Sequence, residues 1–192
     1  MPEYLDMDID LTFAQTYTVN TDAWLPSGRG SIPLYYYPGA SIDGGHDGSL
    51  LEITPNDGLT WLAMFADGPQ GMLSGVYGCP GGHSICVVSS GRCYFVKADD
   101  PQQWREKMET IREVKALPDH NMLILRDATS LIAYGAHGFL WKTEAISIHG
   151  LTIESVAGNV LHGRALLFNR QGDTWMGYEV NLITGKHKGG SG

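Results

Sequence analysis

The chain gathers its three cysteines and one of its seven histidines into a single fifteen-residue window, Cys79-Pro-Gly-Gly-His83-Ser-Ile-Cys86-Val-Val-Ser-Ser-Gly-Arg-Cys93. Thiolate and imidazole are the groups that zinc takes in tetrahedral sites, commonly paired on a tight knuckle. Cys79 and His83 flank Pro-Gly-Gly, a turn able to fold two ligands onto one ion, and Cys86 is the third candidate ligand. A redox pair is the other chemistry such thiols offer. Strand geometry works against convergence, because residues three apart in an extended strand point to opposite faces. His83 and Cys86 are therefore separated unless the strand starts after Ser84. Cys93 depends on the hairpin register. A two-residue turn at Ser90-Gly91 sets Val88 opposite Cys93 and Cys86 opposite Phe95, with both thiols on one face. A three-residue loop over Ser89-Ser-Gly91 sends them to opposite faces. Cysteine is also among the most often buried residue types, and packing as a small apolar side chain is the competing role.

Other groupings are weaker. Asp43-Gly-Gly-His46-Asp47 places two carboxylates and an imidazole on a glycine-rich loop that could wrap a hard cation, although Asp and Gly are also what exposed turns are made of. Asp6, Asp8 and Asp10 alternate with Met7, Ile9 and Leu11, which reads as the wet face of an amphipathic strand, of the kind whose charges protect a sheet edge, rather than a metal or acid/base strip. Trp24 and the run Tyr35-Tyr36-Tyr37 form the candidate ligand-binding set. Three consecutive tyrosines on a strand cannot share one face, and accessible aromatic rings near loops suit recognition. Their alternative is to pin the turn-rich first 45 residues to the core. The histidines are otherwise dispersed, and no G-x-S-x-G, H-E-x-x-H, P-loop or G-x-G-x-x-G motif occurs. No catalytic residue is nominated and no cofactor is implied.

At 192 residues the chain can bury one substantial core or two small ones. An apolar fraction of 43% and a charged fraction of 18% belong to a folded protein, and 25 glycines point to many tight turns. Thirteen Lys+Arg against 21 Asp+Glu give a net charge of −8, a field that repels nucleic acid and anionic lipid. The N-terminus carries no secretory pattern, and no apolar run approaches the ~20 residues that span a bilayer. Three cysteines are too few for a disulfide framework, so reduced thiols in the cytoplasm are expected.

The elements that must position these residues read mainly as strands. Apolar segments at 50–54, 60–65, 83–88, 92–98, 122–126, 131–134, 139–143, 151–156, 160–168 and 175–183 are separated by turn sequences such as Pro55-Asn-Asp-Gly58 and Asp127-Ala-Thr-Ser130. The pattern predicts an antiparallel meander forming a sandwich, a barrel or a propeller-like sheet. One amphipathic helix is expected near 101–115, with Trp104, Met108 and Ile111 as its apolar stripe, Asp100 as N-cap and Pro101 at N1. A single domain is expected, comprising a turn-rich region 1–45, a β core 46–186 and a flexible tail 187–192. Two echoes occur, the first about 38 residues apart and the second 80. Ile85–Val96 resembles Leu123–Tyr134 in pattern, and Gly58-Leu-Thr-Trp61 resembles Gly138-Phe-Leu-Trp141. Ordinary hairpin statistics account for both without a true repeat.

The function expected from these features is that of a non-enzymatic binding module for a protein or small ligand, using Trp24 and Tyr35–Tyr37. One alternative is a metal-dependent enzyme, such as a hydrolase, built on the Cys79/His83 turn or the Asp43/His46/Asp47 loop. The other is a structural subunit of a larger assembly.

Overall fold

A computed structural model describes residues 7–25, 32–39, 41–43, 47–107, 110–169 and 172–192. In chain order the strands begin with β1 (Asp8–Asp10), β2 (Tyr17–Asn20), β3 (Leu34–Tyr37), β4 (Gly48–Pro55), β5 (Trp61–Ala66) and β6 (Gly75–Gly78). Next come β7 (Ser84–Ser89), β8 (Arg92–Lys97), β9 (Trp104–Lys107), β10 (Glu113–Leu117), β11 (Met122–Arg126) and β12 (Leu131–Gly135). The last are β13 (Gly138–Lys142), β14 (Leu151–Ala157), β15 (Val160–Asn169), β16 (Gly172–Asn181) and β17 (His187–Gly189). They form four sheets and, among the described residues, no closed barrel. Sheet I has the order β2-β4-β5-β3 and sheet II the order β1-β6-β7-β8-β9. Sheets III and IV are the simple meanders β10-β11-β12-β13 and β14-β15-β16-β17.

Three cores join these sheets in sequence. The first packs Leu51, Ile53, Trp61 and Phe65 of sheet I against Val76, Ile85, Val87 and Tyr94 of sheet II. The second uses the opposite face of sheet II, where Tyr77, Cys86, Val88 and Cys93 meet Leu123, Leu125 and Ile132 of sheet III. The third joins Ile124, Leu131, Ala133 and Trp141 to Leu151, Leu161, Ala165, Tyr178 and Val180 of sheet IV. Strand alternation explains the division. Successive residues of β7 and β11 point to opposite faces, and both faces of these two central strands are dry, so they read as unbroken apolar runs. Each fully buried Leu, Ile or Phe contributes about 1.5–3 kcal/mol.

The two sequence echoes fall at equivalent places in this stack. β7–β8 and β11–β12 are the central hairpins of consecutive sheets. Trp61 and Trp141 are both buried, and each indole Nε1–H donates to a backbone carbonyl beside the next sheet, Ala98 O at 2.9 Å and Leu182 O at 2.8 Å. A Trp at that place fills the core and ties its one polar atom to the neighbour.

The helix expected near 101–115 is not formed; a short 3-10 turn, Pro118–His120, is the only helical element among the described residues. Its capping signals serve a turn instead. The Asp100 carboxylate accepts from Gln102 N at 3.1 Å and from Gln103 Nε2 at 2.8 Å, while Gln103 N–H donates to Asp100 O. The apolar stripe is divided between two cores. Trp104 lies on β9 beside Val96 and packs on the first core, whereas Ile111 is buried in the second. Met108 lies outside the described residues. Sheet pairing has overridden helical propensity here.

The C-terminal segment expected to be flexible is tied down. β17 pairs with β16, Gly190 N–H donates to Gly177 O at 3.1 Å, and Ser191 N–H donates to Ile146 O at 2.8 Å. At the other end β1 is an edge strand running parallel to β6. Asp8 accepts from the Tyr77 hydroxyl and Asp10 from Thr12 N, while Asp6 lies outside the described residues. No helix among the described residues is long and apolar enough to cross a membrane.

Candidate functional site

The cysteine window forms a turn followed by the β7–β8 hairpin. The hairpin adopts the two-residue register, with Ser89 opposite Arg92, Val88 opposite Cys93 and Cys86 opposite Phe95. Ser90 and Gly91 take φ of 48° and 81°, the left-handed pair that a tight hairpin requires. Cys86 and Cys93 are therefore diagonal neighbours on one face, with sulfurs 3.7 Å apart, and both are fully buried. Cys79 is buried beside them in the second core. Burial raises the Cys79 and Cys86 thiols well above their ordinary range, so both remain protonated.

His83 does not join the thiols. It is exposed, and its Nδ1 lies 3.3 Å from Thr16 Oγ1. β7 begins at Ser84, with Cys86 directed into the core. Among the described residues no three His, Cys, Asp or Glu side chains converge as a metal site needs. In the second metal candidate, Asp43 is exposed, with its N–H donating to Ser41 Oγ, and Asp47 is also exposed. His46 lies outside the described residues.

The aromatic set divides. Tyr37 is fully buried, stacks on Phe65 at 4.8 Å and donates its hydroxyl to Pro101 O at 2.8 Å. Burial raises its phenol well above the ordinary value. Tyr35 packs edge-on against Trp61 at 5.8 Å. Tyr36 points to the other face of β3 and is half-buried, whereas Trp24 is 87% exposed. Tyr35 and Tyr37 thus belong to the core side of sheet I, and Trp24 is the accessible ring.

A concavity of about 880 Å³ lies between sheets II and III. Its floor is an offset stack of Phe95 on Tyr134, with ring centroids 4.2 Å apart and planes inclined by 27°. Both rings are only half-buried. Phe139, which is 53% exposed, meets Tyr134 edge-on at 6.0 Å. A β-bulge between Ala133 and Tyr134 sets Tyr134 opposite Phe139 and Ala133 opposite Trp141. Such a bulge bends the strand and re-aims side chains at a sheet margin.

The opposite wall is β9, the edge strand of sheet II. Arg105 is paired with Phe95 and Lys107 with Cys93, so both cations project from the face that carries the stacked ring. Lys107 Nζ lies 5.6 Å from the centre of the Phe139 ring. One end of the cleft is the Cys79–His83 turn, where Gly81 packs close to Ala136 of the facing turn. Gly82 closes that turn with φ of 74°, and a Cβ there would lie 2.3 Å from Ala14 O. The local chemistry of Cys79 and His83 therefore borders the cleft without forming a metal centre.

Sequence reasoning did not nominate Phe95, Arg105, Tyr134 or Phe139. Their only local signal is an aromatic or basic residue amid strand alternation, and they come from four strands of two sheets. Compared with protein-family models and with curated proteins, the chain matches none.

Proposed function

We propose that this protein is a non-enzymatic recognition module that takes a ligand into the cleft between sheets II and III. The observation that carries the reading is the Phe95–Tyr134 stack, packed on the core yet partly exposed in a cleft of about 880 Å³. Paired aromatic rings that could have been sealed in the core present an apolar platform instead. Sites of this size with a few polar groups at the rim suit small ligands. Cys79, the thiol at the cleft end, is protonated by virtue of its burial and supplies no thiolate nucleophile.

A fragment set of planar aromatic compounds tests this by NMR on the full chain. Chemical-shift changes should cluster on Phe95, Arg105, Tyr134 and Phe139 and should be lost in Tyr134→Ala. Shifts centred elsewhere, or unchanged in that variant, would remove the basis for the reading.

A second reading rests on Trp24, which is 87% exposed beside Leu25 at 54%. Such rings serve as anchors in protein recognition. A folded Trp24→Ala variant that retains every protein partner of the wild type excludes it.

A further inference from the structure

Resting on the cleft reading, we infer that the ligand is an anion: a planar, largely apolar body bearing a carboxylate, sulfonate or phosphate group. The protein as a whole is strongly acidic, at −8. Yet Lys97, Arg105 and Lys107 all line this one cleft, together with His83 and His137. Asp99 and Glu106 line it as well, so three cations stand against two carboxylates, a balance opposite in sign to that of the whole chain.

Among the described residues, neither of these carboxylates is paired with Lys97 or Arg105. Glu106 sits between Arg105 and Lys107 on β9, so alternation turns it to the other face, opposite Tyr94. There its Oε1 is held by Arg92 Nε at 2.5 Å. Asp99 stands at the exposed rim. Arg92, Arg126 and Arg164 are each committed to a glutamate, whereas among the described residues Arg105 and Lys97 form no ion pair.

The geometry fits a ligand with two unlike ends. Residues i and i+2 of a strand lie about 7 Å apart, so Arg105 and Lys107 flank a position that one small anionic group can occupy. Arginine presents a planar fork suited to carboxylate, sulfonate or phosphate. Phe95, directly opposite Arg105 in the register, then receives the flat part of the same molecule. A charge-assisted contact of this kind is worth about a tenfold change in affinity.

Two fluorescent probes with the same ring system separate the apolar and anionic parts. 1-Anilinonaphthalene-8-sulfonate carries the anion, and N-phenyl-1-naphthylamine lacks it. On the full chain the sulfonate is expected to bind at least tenfold more tightly, with the preference shrinking as salt rises. In Arg105→Gln/Lys107→Gln the sulfonate's preference over the neutral probe should disappear. Tyr134→Ala should weaken both probes, with thermal melts establishing that each variant is folded. Equal affinity for the two probes, a preference for the neutral one, or a sulfonate preference that survives the double substitution overturns the anionic assignment. If both probes in those cases still depend on Tyr134, the cleft reading stands alone. If Tyr134→Ala leaves both probes unaffected, the cleft reading fails with it.

Discussion

Replacing Asp127 with alanine should remove about 3 kcal/mol of stability at neutral pH, and the turn between β11 and β12 shows why. The Asp127 side chain is only 8% exposed. Its Oδ1 accepts from the N–H groups of Thr129 and Ser130, both at 2.7 Å, and its Oδ2 accepts from the Ser130 hydroxyl at 2.8 Å. Lys142 Nζ stands 3.3 Å from Oδ2. Alanine strands several donors near the core. A buried donor left unpaired costs about 1–3 kcal/mol, with partial rescue by water for those at the margin. Asparagine retains one acceptor oxygen but loses the charge, and should cost about 1 kcal/mol.

With a urea slope of about 2 kcal/mol per molar, the alanine variant should melt about 1.5 M earlier and the asparagine variant about 0.5 M earlier. The pH dependence gives an independent check. Burial alone pushes the Asp127 carboxyl up. The Thr129 and Ser130 donors and Lys142 outweigh that effect and hold it below the usual carboxylate range. A depressed carboxyl stabilises the folded state above its unfolded value of about 3.9, and this contribution is lost as pH falls through the folded value. The gap between wild type and Asp127→Ala should therefore be constant from pH 8 to 5 and narrow below about pH 4. A loss under about 0.5 kcal/mol at pH 7, or a gap that widens in acid, would refute the accounting.

Gly185→Ala should destabilise by about 2–4 kcal/mol, because φ there is 68° and a Cβ would lie 2.7 Å from the Trp141 ring. A melting temperature lowered by on the order of 5–10 °C, with altered tryptophan fluorescence, is the expected readout, and an unchanged melt contradicts it. The buried acids make a joint prediction about alkaline solution. Burial raises the phenols of Tyr17, Tyr37, Tyr77, Tyr94 and Tyr178 and the thiols of Cys79 and Cys86. The folded chain keeps protons that the unfolded chain releases, so stability is complete below about pH 8.5 and declines as pH rises further. Urea midpoints at pH 7 and 10.5 test this. The three cysteines should react with a disulfide reagent at pH 8 only in denaturant, and any prompt reaction in the native state counts against the placement.

Much of the framework was legible because strand alternation and turn chemistry are local. The segments read as strands between 50 and 183 all appear as strands, and turns such as Pro55–Gly58 and Asp127–Ser130 lie between them. The error at 101–115 arose from one ambiguity. Trp104, Met108 and Ile111 have helical spacing, yet Trp104 and Ile111 serve two different cores, which no single helix face could reach. Tyr35–Tyr37 carried a correct parity, with Tyr36 opposed to its neighbours, but nothing local says that the Tyr35 and Tyr37 side is the buried one.

The cysteine window marks the boundary between the two kinds of information. The sequence alone limited Cys86 and Cys93 to two registers and opposed His83 to Cys86, because residue parity is a property of the extended backbone itself. Which register forms, and that its thiol face is sealed by Leu123, Leu125 and Ile132, was decided by sheet III packing onto sheet II. The cleft is wholly a tertiary object. Phe95 and Tyr134 are 39 residues apart in the chain and acquire a shared surface only when sheets II and III stack. Stacking is a long-range choice among faces that are locally equivalent, and no short window of sequence contains it.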